Sequence, residues 1–299
     1  MSMIYRYRCI SDNSLNALLN DELFVSVPTK FNDPFDSCFS YDIHYVASKL
    51  LDGSKYFANL YIYSFYNEYN RKPNDDEIEE AIASFRENKD EIEKFVQEQC
   101  FRALTMLRDE YYVGCFSKEI KNTVLWAHYA ACGQGFAVGY DDNDVSNLSL
   151  KYYKRIRYNR QSCGLYYVDY SPNTINNNSL MIDILDSFAL FTAEQIMNPK
   201  KKRFRYELTE ENIMSIFLHK NTLWRYEEEL RIILPNTNLG KPFASIGKIK
   251  PRAIYLGANI EKQNKYLIKK ICEEKGIQLF QMKLIFENGK QELEYLQIL

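Results

Sequence analysis

Residues 4–27 read IYRYRCISDNSLNALLNDELFVSV, and this stretch decides the fold class. Tyrosine and arginine alternate over residues 4–9, which predicts a β-strand with Arg6 and Arg8 on one face and Tyr5 and Tyr7 on the other. Leucines at helical spacing within 14–19 predict a short helix, and the apolar run 23–27 predicts a second strand. A strand, a helix and a strand in so short a stretch indicate mixed α and β structure.

The remaining sequence alternates in the same way. We predict further strands at 111–117, 135–140, 151–158, 165–170, 231–234, 253–256 and 278–283, and helices at 122–131, 181–196, 209–219 and 261–275. A charged, amphipathic block at about 45–110 predicts two or three helices, and no Gly- or Pro-rich linker brackets it. We therefore expect one α+β domain over residues 1–299, with a mixed, mostly antiparallel sheet as its core and a helical insertion at about 45–110.

Composition narrows the class of protein. The chain has 299 residues, 46% of them hydrophobic and 26% charged, which excludes wholesale disorder. With a formal net charge of -2, the protein as a whole is a poor electrostatic match for nucleic acid or an anionic membrane. Binding to either would need local patches of positive charge. No apolar run is long enough to span a membrane, and the first residues lack the apolar core of a signal peptide. We expect a cytoplasmic protein without a membrane partner.

Cysteine and histidine usage argues against a metal site. The seven cysteines are odd in number and widely spaced, and no Cys-x-x-Cys occurs among them. The three histidines lie in unrelated segments. This pattern indicates reduced thiols rather than a disulfide framework, and we expect no bound metal.

The first strand and the turn after the second strand carry candidate ligand-binding groups. Guanidinium groups match phosphate oxygens bidentately, so Arg6 and Arg8 are candidates to bind phosphate or ribose, although a solvated edge strand would also explain them. Ser26 offers a hydroxyl to a ligand or to a nearby backbone group. The turn Phe-Asn-Asp-Pro-Phe-Asp at 31–36 presents Asn32, Asp33 and Asp36, which either stabilise the turn, orient a substrate hydroxyl or brace Arg8.

A late acidic segment, Trp-Arg-Tyr-Glu-Glu-Glu-Leu-Arg at 224–231, carries the candidate catalytic carboxylates. If it is extended, Glu227, Glu229 and Arg231 share one face, and the repelling carboxylates need cationic partners nearby, for which Arg6, Arg8 and Arg231 are candidates. A solvated acidic flank is the plainer explanation of the same residues. His128, on a predicted helix, is either a structural histidine or a substrate-positioning group. Two basic runs, 151–160 and 200–205, are either solvated faces or contacts for single-stranded nucleic acid.

Three groups of residues together resemble a widespread bacterial family known as a domain of unknown function. They are the opening strands with the turn at 31–36, the boxes Cys-Phe-Ser at 115–117, Leu-Trp-Ala-His-Tyr-Ala at 125–130 and Gly-Phe-Ala-Val-Gly-Tyr at 135–140, and the segment 224–231 with Lys220 before it. The chain also resembles Arg-Ser-Glu type ADP-ribosyltransferases, because Arg6 or Arg8, Ser26 and the glutamates occur in that order. It departs from their Ser-Thr-Ser pattern, which is Val-Ser-Val here.

This second resemblance implies an ADP-ribosyltransferase-like fold and NAD as substrate. Arg8, with Arg6, would bind the nucleotide, Ser26 would contact the nicotinamide ribose, and Tyr7 or Tyr226 would stack on the nicotinamide. Glu229 would be the catalytic carboxylate and Glu227 would orient the acceptor, a protein or a nucleic acid. Such a protein would act as a bacterial toxin or anti-phage effector, with an antitoxin or defence-system partner.

Two hypotheses from other classes remain open. A non-catalytic sensor or nucleic-acid-binding module would use the basic runs and leave the acidic segment structural. A nuclease would use Asp33, Asp36 and the glutamates to hold Mg²⁺. The enzymatic hypothesis predicts that the first strand, the 31–36 turn and the 224–231 segment meet in one cleft, whereas the binding-module hypothesis predicts a continuous basic face away from them.

Overall fold

The computed structural model describes residues 2–53, 56–156, 164–171, 176–201, 203–238, 240–287 and 289–299. In chain order the elements are β1 (Met3–Arg8), α1 (Asp12–Leu19), β2 (Glu22–Ser26), α2 (Ile43–Gly53), α3 (Phe57–Tyr69), α4 (Asp75–Glu87), α5 (Lys89–Asp109), β3 (Tyr111–Ser117), α6 (Thr123–Tyr129), β4 (Phe136–Asp141) and α7 (Asp142–Arg155). They continue with β5 (Tyr166–Tyr167), β6 (Asp169–Ser171), α8 (Asn178–Met197), α9 (Glu210–Phe217), β7 (His219–Asn221), β8 (Glu229–Pro235), β9 (Phe243–Lys248), β10 (Ala253–Leu256), α10 (Lys262–Lys275), β11 (Gln278–Glu287) and β12 (Lys290–Gln297). Short 3₁₀ helices span Pro28–Lys30 and Thr222–Glu227.

The predicted mixed, mostly antiparallel sheet is confirmed. Its strands follow the order β12-β11-β10-β4-β1-β3-β2-β9, with β8 paired to β3 and β5 paired to β8. Every pairing within this sheet is antiparallel except that of β10 with β11. Among the described helices, none is long and apolar enough to cross a membrane.

The sheet opens around β3, and this opening positions the site. β3 pairs with β8 along its whole length, from Tyr111 opposite Pro235 to Ser117 opposite Glu229. In contrast, β1 meets β3 only at Tyr5 opposite Ser117, and β2 meets it only at Ser26 opposite Val113. Because the ladders on this side are so short, a space remains between β1, β2 and β3.

Three apolar clusters hold the sheet and its helices together. On one face of the sheet, Ile4 of β1 packs with Leu148 of α7 and Ile268 of α10. On the other face, Tyr5 and Tyr7 pack with Trp126 of α6. The faces of β1 therefore divide as the Tyr-Arg alternation predicts, since residues 4, 6 and 8 share a side.

The third cluster joins the helical block to the sheet. Helices α2, α3, α4 and α5 fill the region predicted as an insertion, four helices rather than two or three. Val96 and Leu107 of α5 are buried with Phe188 of α8 and with Tyr111 of β3. An Asn74 capping box begins α4, in which the side chains of Asn74 and Glu77 each accept from the other residue's backbone N–H.

The predicted strand at 151–158 and its hairpin with 165–170 are wrong. Residues 151–155 are the last turn of α7, which begins after the N-cap Asp141, whose side chain accepts from the backbone N–H of Asn143. Val145, Leu148 and Tyr152 of α7 are all buried at helical spacing. The interleaved tyrosines and basic residues therefore follow a helical period, and residues 157–158 lie outside the described part of the chain.

Candidate functional site

A cavity of about 190 Å³ occupies the opening beside β3. Four of the predicted site residues line it from β1 and β2: Arg6, Tyr7, Arg8 and Ser26. Four more line it from the turn and the late acidic segment: Asn32, Asp36, Glu227 and Glu229. Segments nearly 200 residues apart in the sequence therefore meet around one space.

The two arginines form one end of this cavity and have few protein partners. Arg6 donates to the carbonyl oxygen of Phe24, and its guanidinium lies 5.7 Å from the centre of the Phe116 ring. The guanidinium of Arg8 makes no hydrogen bond or ion pair with the residues that the structure describes. Burial, with repulsion from Arg8, lowers the pKa of Arg6 to about 9, and burial also lowers the pKa of Arg8. Both stay charged at neutral pH, and an anion beside them would offset the lost solvation.

The other end of the cavity is an ionic cluster centred on Lys220. Its Nζ lies 2.6 Å from Glu227 Oε2, 3.2 Å from Glu229 Oε2 and 3.5 Å from Asp36 Oδ2. Burial alone would lower the pKa of Lys220, but the carboxylates of Glu229 and Asp36 outweigh it and raise that pKa. Lys220 therefore remains an ammonium that three carboxylates share.

Arg231 lies behind the cavity wall and joins Asp36 to Glu229. It is fully buried and donates to Asp36 through both terminal nitrogens, at 2.8 Å and 2.6 Å. It also donates to both carboxylate oxygens of Glu229, at 2.8 Å and 2.9 Å. The predicted brace between Asp36 and Arg8 is thus wrong, because the fork of Arg231 occupies both oxygens of Asp36.

Glu227 connects this cluster to the cavity. Its Oε1 accepts a hydrogen bond of 2.6 Å from the hydroxyl of Tyr129, and that hydroxyl accepts one of 3.3 Å from Asn32 Nδ2. Tyr129 lies on α6 and, like Asn32, lines the cavity. A chain of hydrogen bonds therefore runs from the turn through Tyr129 to Glu227 and on to Lys220.

The two glutamates differ in protonation. Burial alone would raise the pKa of Glu229, but Arg231 and Lys220 outweigh it and lower that pKa to about 2. Burial raises the pKa of Glu227, against the opposing effect of Lys220. Neighbouring carboxyls whose pKa values are pushed apart are typical of acid–base sites. Glu227 is the one suited to exchange protons, whereas Glu229 is a permanently charged partner of two cations.

The backbone around the two glutamates is not extended throughout, although the sequence suggests an extended segment. The predicted common face for Glu227 and Glu229 assumed an extended segment, but Glu227 ends a 3₁₀ helix and Glu228 has left-handed backbone angles (φ 41°, ψ 53°). The strand begins only at Glu229, whose backbone N–H donates to the hydroxyl of Tyr170 at 2.9 Å. The two carboxylates meet through Lys220 and not through strand alternation.

Besides Arg231, which lies behind the cavity wall, three predicted site residues do not line the cavity. Asp33 accepts from the backbone N–H of Phe35 at 2.9 Å and stabilises the turn. His128 is exposed on α6, and Tyr226 packs against the cluster that contains Trp126; neither lines the cavity. We assign them no contact with a ligand bound there.

Lys220 and Tyr129 are the functional candidates that sequence reasoning missed. Lys220 precedes the acidic segment by a few residues, but nothing in its spacing indicates that it lies between Asp36 and Glu229. Nothing in the sequence pairs Tyr129 with the acidic segment, and only the fold shows that its hydroxyl reaches Glu227.

The described residues of the two predicted basic runs include cations that are paired with carboxylates. In the second run, Lys201 pairs with Glu194, and Arg203 pairs with Glu110 at 2.7 Å. In the first run, Arg157 and Arg160 lie outside the described residues. Within the described ranges, no group of three or more His, Cys, Asp or Glu side chains is arranged to hold a metal ion.

Among the comparisons with known proteins, one family model matches, and it covers the site residues that come later in the sequence. No curated protein and no solved structure is similar enough to this chain to count as a match. A family model described as "Protein of unknown function (DUF2971)" matches residues 125–232. The matched segment contains Tyr129, Lys220, Glu227, Glu229 and Arg231, whereas β1, β2 and the turn precede it. The expected relation to a domain-of-unknown-function family is therefore supported over α6 to β8.

Proposed function

We propose that the cavity is the active site of an enzyme that cleaves the nicotinamide–ribose bond of NAD and passes ADP-ribose to an acceptor or to water. The proposal rests on one observation. Two guanidinium groups with no carboxylate partner among the described residues, a serine hydroxyl and a carboxylate with a raised pKa line the same cavity. This combination offers separate contacts to the phosphate, the ribose and the reacting carbon of a nucleotide.

The charged groups suit the two ends of such a substrate. Arg6 and Arg8 would bind phosphate oxygens, for which guanidinium forks are well matched. Ser26 would contact the nicotinamide ribose, and Tyr7 provides an aromatic wall held against Trp126 at 5.1 Å between ring centres. Ligand pockets usually exceed about 300 Å³, so this cavity would enclose one end of NAD and leave the other at its mouth.

Glu227, and not Glu229, is the carboxylate that we assign to the reaction. When the C1′–N bond breaks, its electron pair leaves with nicotinamide and positive charge develops on the ribose, which a nearby carboxylate stabilises. Glu227 would then accept the proton of the attacking water or acceptor as the new bond to C1′ forms. Glu229 is held by Arg231 and Lys220, so its role is to keep Lys220 against Glu227.

The biological role proposed with this reaction is that of a cytoplasmic toxin or anti-phage effector. Its acceptor would be a protein or a nucleic acid, and an antitoxin or another defence-system protein would restrain it. The proposed role follows from the chemistry, because loss of NAD or modification of an essential acceptor harms a cell.

The test uses NAD labelled in the nicotinamide ring, with and without a cell lysate as acceptor source. We expect the wild-type protein to release nicotinamide, and Glu227→Gln to lower the rate by about 10²-fold or more, as loss of a general base does. Glu228→Gln is the matched control, because the same change on the adjacent exposed residue leaves the cavity intact. Absence of release by the wild type in both conditions, or equal rates for wild type and Glu227→Gln, would sink the proposal.

A further inference from the structure

A second concave surface lies away from the cavity, where α7, the β9–β10 connection and the end of α10 meet. It is a groove of about 560 Å³, and three segments line it: 144–151, 248–252 and 276–278. We call it the basic groove, since Lys151, Lys248, Lys250 and Arg252 line it. Asp144 is the one carboxylate among its lining residues, and it is bound to Arg252 at 2.7 Å.

The backbone presents these cations together. Lys248 and Lys250 flank Ile249, which is 8% exposed and packs in the core, so the two lysines on either side extend into solvent. Neither they nor Lys151 form an ion pair with the residues that the structure describes. The groove concentrates positive charge on a protein whose net charge is -2.

We infer that the basic groove binds the phosphate backbone of a nucleic-acid strand. Three of its four cations are lysines, which contact phosphates as point charges; Lys151 lies on α7, and Lys248 and Lys250 lie in one segment at the end of β9. A single phosphoryl group on a peptide is usually held by converging, bidentate arginines, and that arrangement is missing from the lining. Asn147 and Gln278 add amide donors, while Leu148 and Pro251 form an apolar floor for sugar or base.

This surface differs from the basic runs that the sequence suggested. Only Lys151 belongs to those runs, and the other cations come from the segment Gly-Lys-Ile-Lys-Pro-Arg at 247–252. Among the described residues, no aromatic side chain lines the groove, so binding would follow the backbone and depend little on base sequence. The inference does not rest on NAD cleavage and holds whether or not the cavity is catalytic.

The experiment measures anisotropy of a fluorescein-labelled oligouridylate with the full-length protein over a range of salt concentrations. Each phosphate contact to a single strand contributes about 0.7 to the slope of log affinity against log salt, so three or four contacts predict a slope of roughly 2–3. Replacing both Lys248 and Lys250 by Gln removes about 1.4 from that slope and weakens binding about tenfold or more at low salt.

The control is the double variant Lys89→Gln and Lys94→Gln, which makes the same charge change on exposed positions of α5. We expect it to bind oligouridylate as the wild type does. The inference is overturned if the wild type shows no salt-dependent binding, or if both double variants lose affinity equally. Binding of a phosphoserine peptide of equal charge as tightly as oligouridylate would also overturn the assignment to nucleic acid.

Discussion

Individual carboxylates in the cavity differ in how many protein groups hold them. Glu229 is 5% exposed and contacts Lys220, Arg231 and the thiol of Cys115, whose own pKa burial raises well above its ordinary value. Glu227 has Lys220 and Tyr129 as partners and faces the cavity. The number of partners separates a residue required for folding from one available for chemistry.

Glu229→Gln is therefore expected to destabilise the fold by about 3 kcal/mol or more, because removing one member of a buried ion pair leaves uncompensated charge. Glu227→Gln should cost about 1 kcal/mol, since burial already disfavours its ionised form. Urea unfolding of both variants measures the difference, with Glu228→Gln as an exposed control. Equal losses for Glu227→Gln and Glu229→Gln would contradict this division of roles.

The residues predicted from sequence were those whose chemistry is visible in isolation. Arg6, Arg8, Ser26, Asn32, Asp36, Glu227 and Glu229 were named and all line the cavity. Lys220 and Tyr129 were not, because their importance depends on which side chains the fold places beside them. Likewise, nothing in the sequence indicates that the fork of Arg231 is taken up by Asp36, a residue 195 positions earlier in the chain.

At the scale of elements, α5 contains a polar residue that its environment does not satisfy. Gln99 is completely buried, and neither its Nε2 nor its Oε1 has a hydrogen-bond partner among the residues that the structure describes. Its neighbours Val96, Cys100 and Ala103 belong to the apolar cluster between the helical block and the sheet. A buried amide without partners costs roughly 1–3 kcal/mol.

Gln99→Met is accordingly expected to stabilise the protein by about 1 kcal/mol or more, because methionine has a similar length and no amide to desolvate. The thermal or urea midpoint of unfolding reports the effect. Gln97→Met, at an exposed position of the same helix, serves as the control and should leave the midpoint unchanged. A lower midpoint for Gln99→Met would show that the amide is satisfied in solution.

Elements were predictable where apolar periodicity is strong and missed where it is weak. β3, β4, β8 and β10 are almost continuously buried, and their apolar runs identified them. β12 is an edge strand with the sequence KQELEYLQ, and it depends on pairing with β11 rather than on its own pattern. α7 carries basic residues beside tyrosines, and this mixture fits the period of a strand as well as that of a helix. The N-cap Asp141 decides for the helix.

At the scale of the whole molecule, the ionic cluster ties stability to pH. The pKa of Glu229 is lowered from 4.5 to about 2, so the folded state binds this proton less tightly than the unfolded chain. The stabilisation of the fold by the ionised Glu229 is complete at pH values above 4.5 and is lost as the pH falls from 4.5 towards 2. The free energy of unfolding changes by roughly 3 kcal/mol over this range. The raised pKa of Glu227 acts in the opposite direction, because its protonation relieves a burial penalty.

We therefore expect the free energy of unfolding to fall between about pH 5 and pH 2, and to fall less steeply in Glu229→Gln than in the wild type. Urea titrations at successive pH values measure both slopes. Glu228→Gln, which lacks the buried partners, should follow the wild type. Parallel curves for wild type and Glu229→Gln would show that the cluster does not govern acid stability.

The pairing of Asp36 with Arg231 also determines when the ionic cluster can form as the chain is synthesised. β1 emerges first, yet it becomes an inner strand only after β4 is made, and the carboxylates at 227 and 229 follow much later. Contacts between residues so far apart in the sequence form slowly, because the entropy of closing a long loop is lost before the contact stabilises the chain. A growing chain shorter than about 231 residues thus holds the two arginines without the ionic cluster. A polypeptide that stops before residue 231 would carry no assembled ionic cluster, so the proposed activity requires synthesis at least through β8.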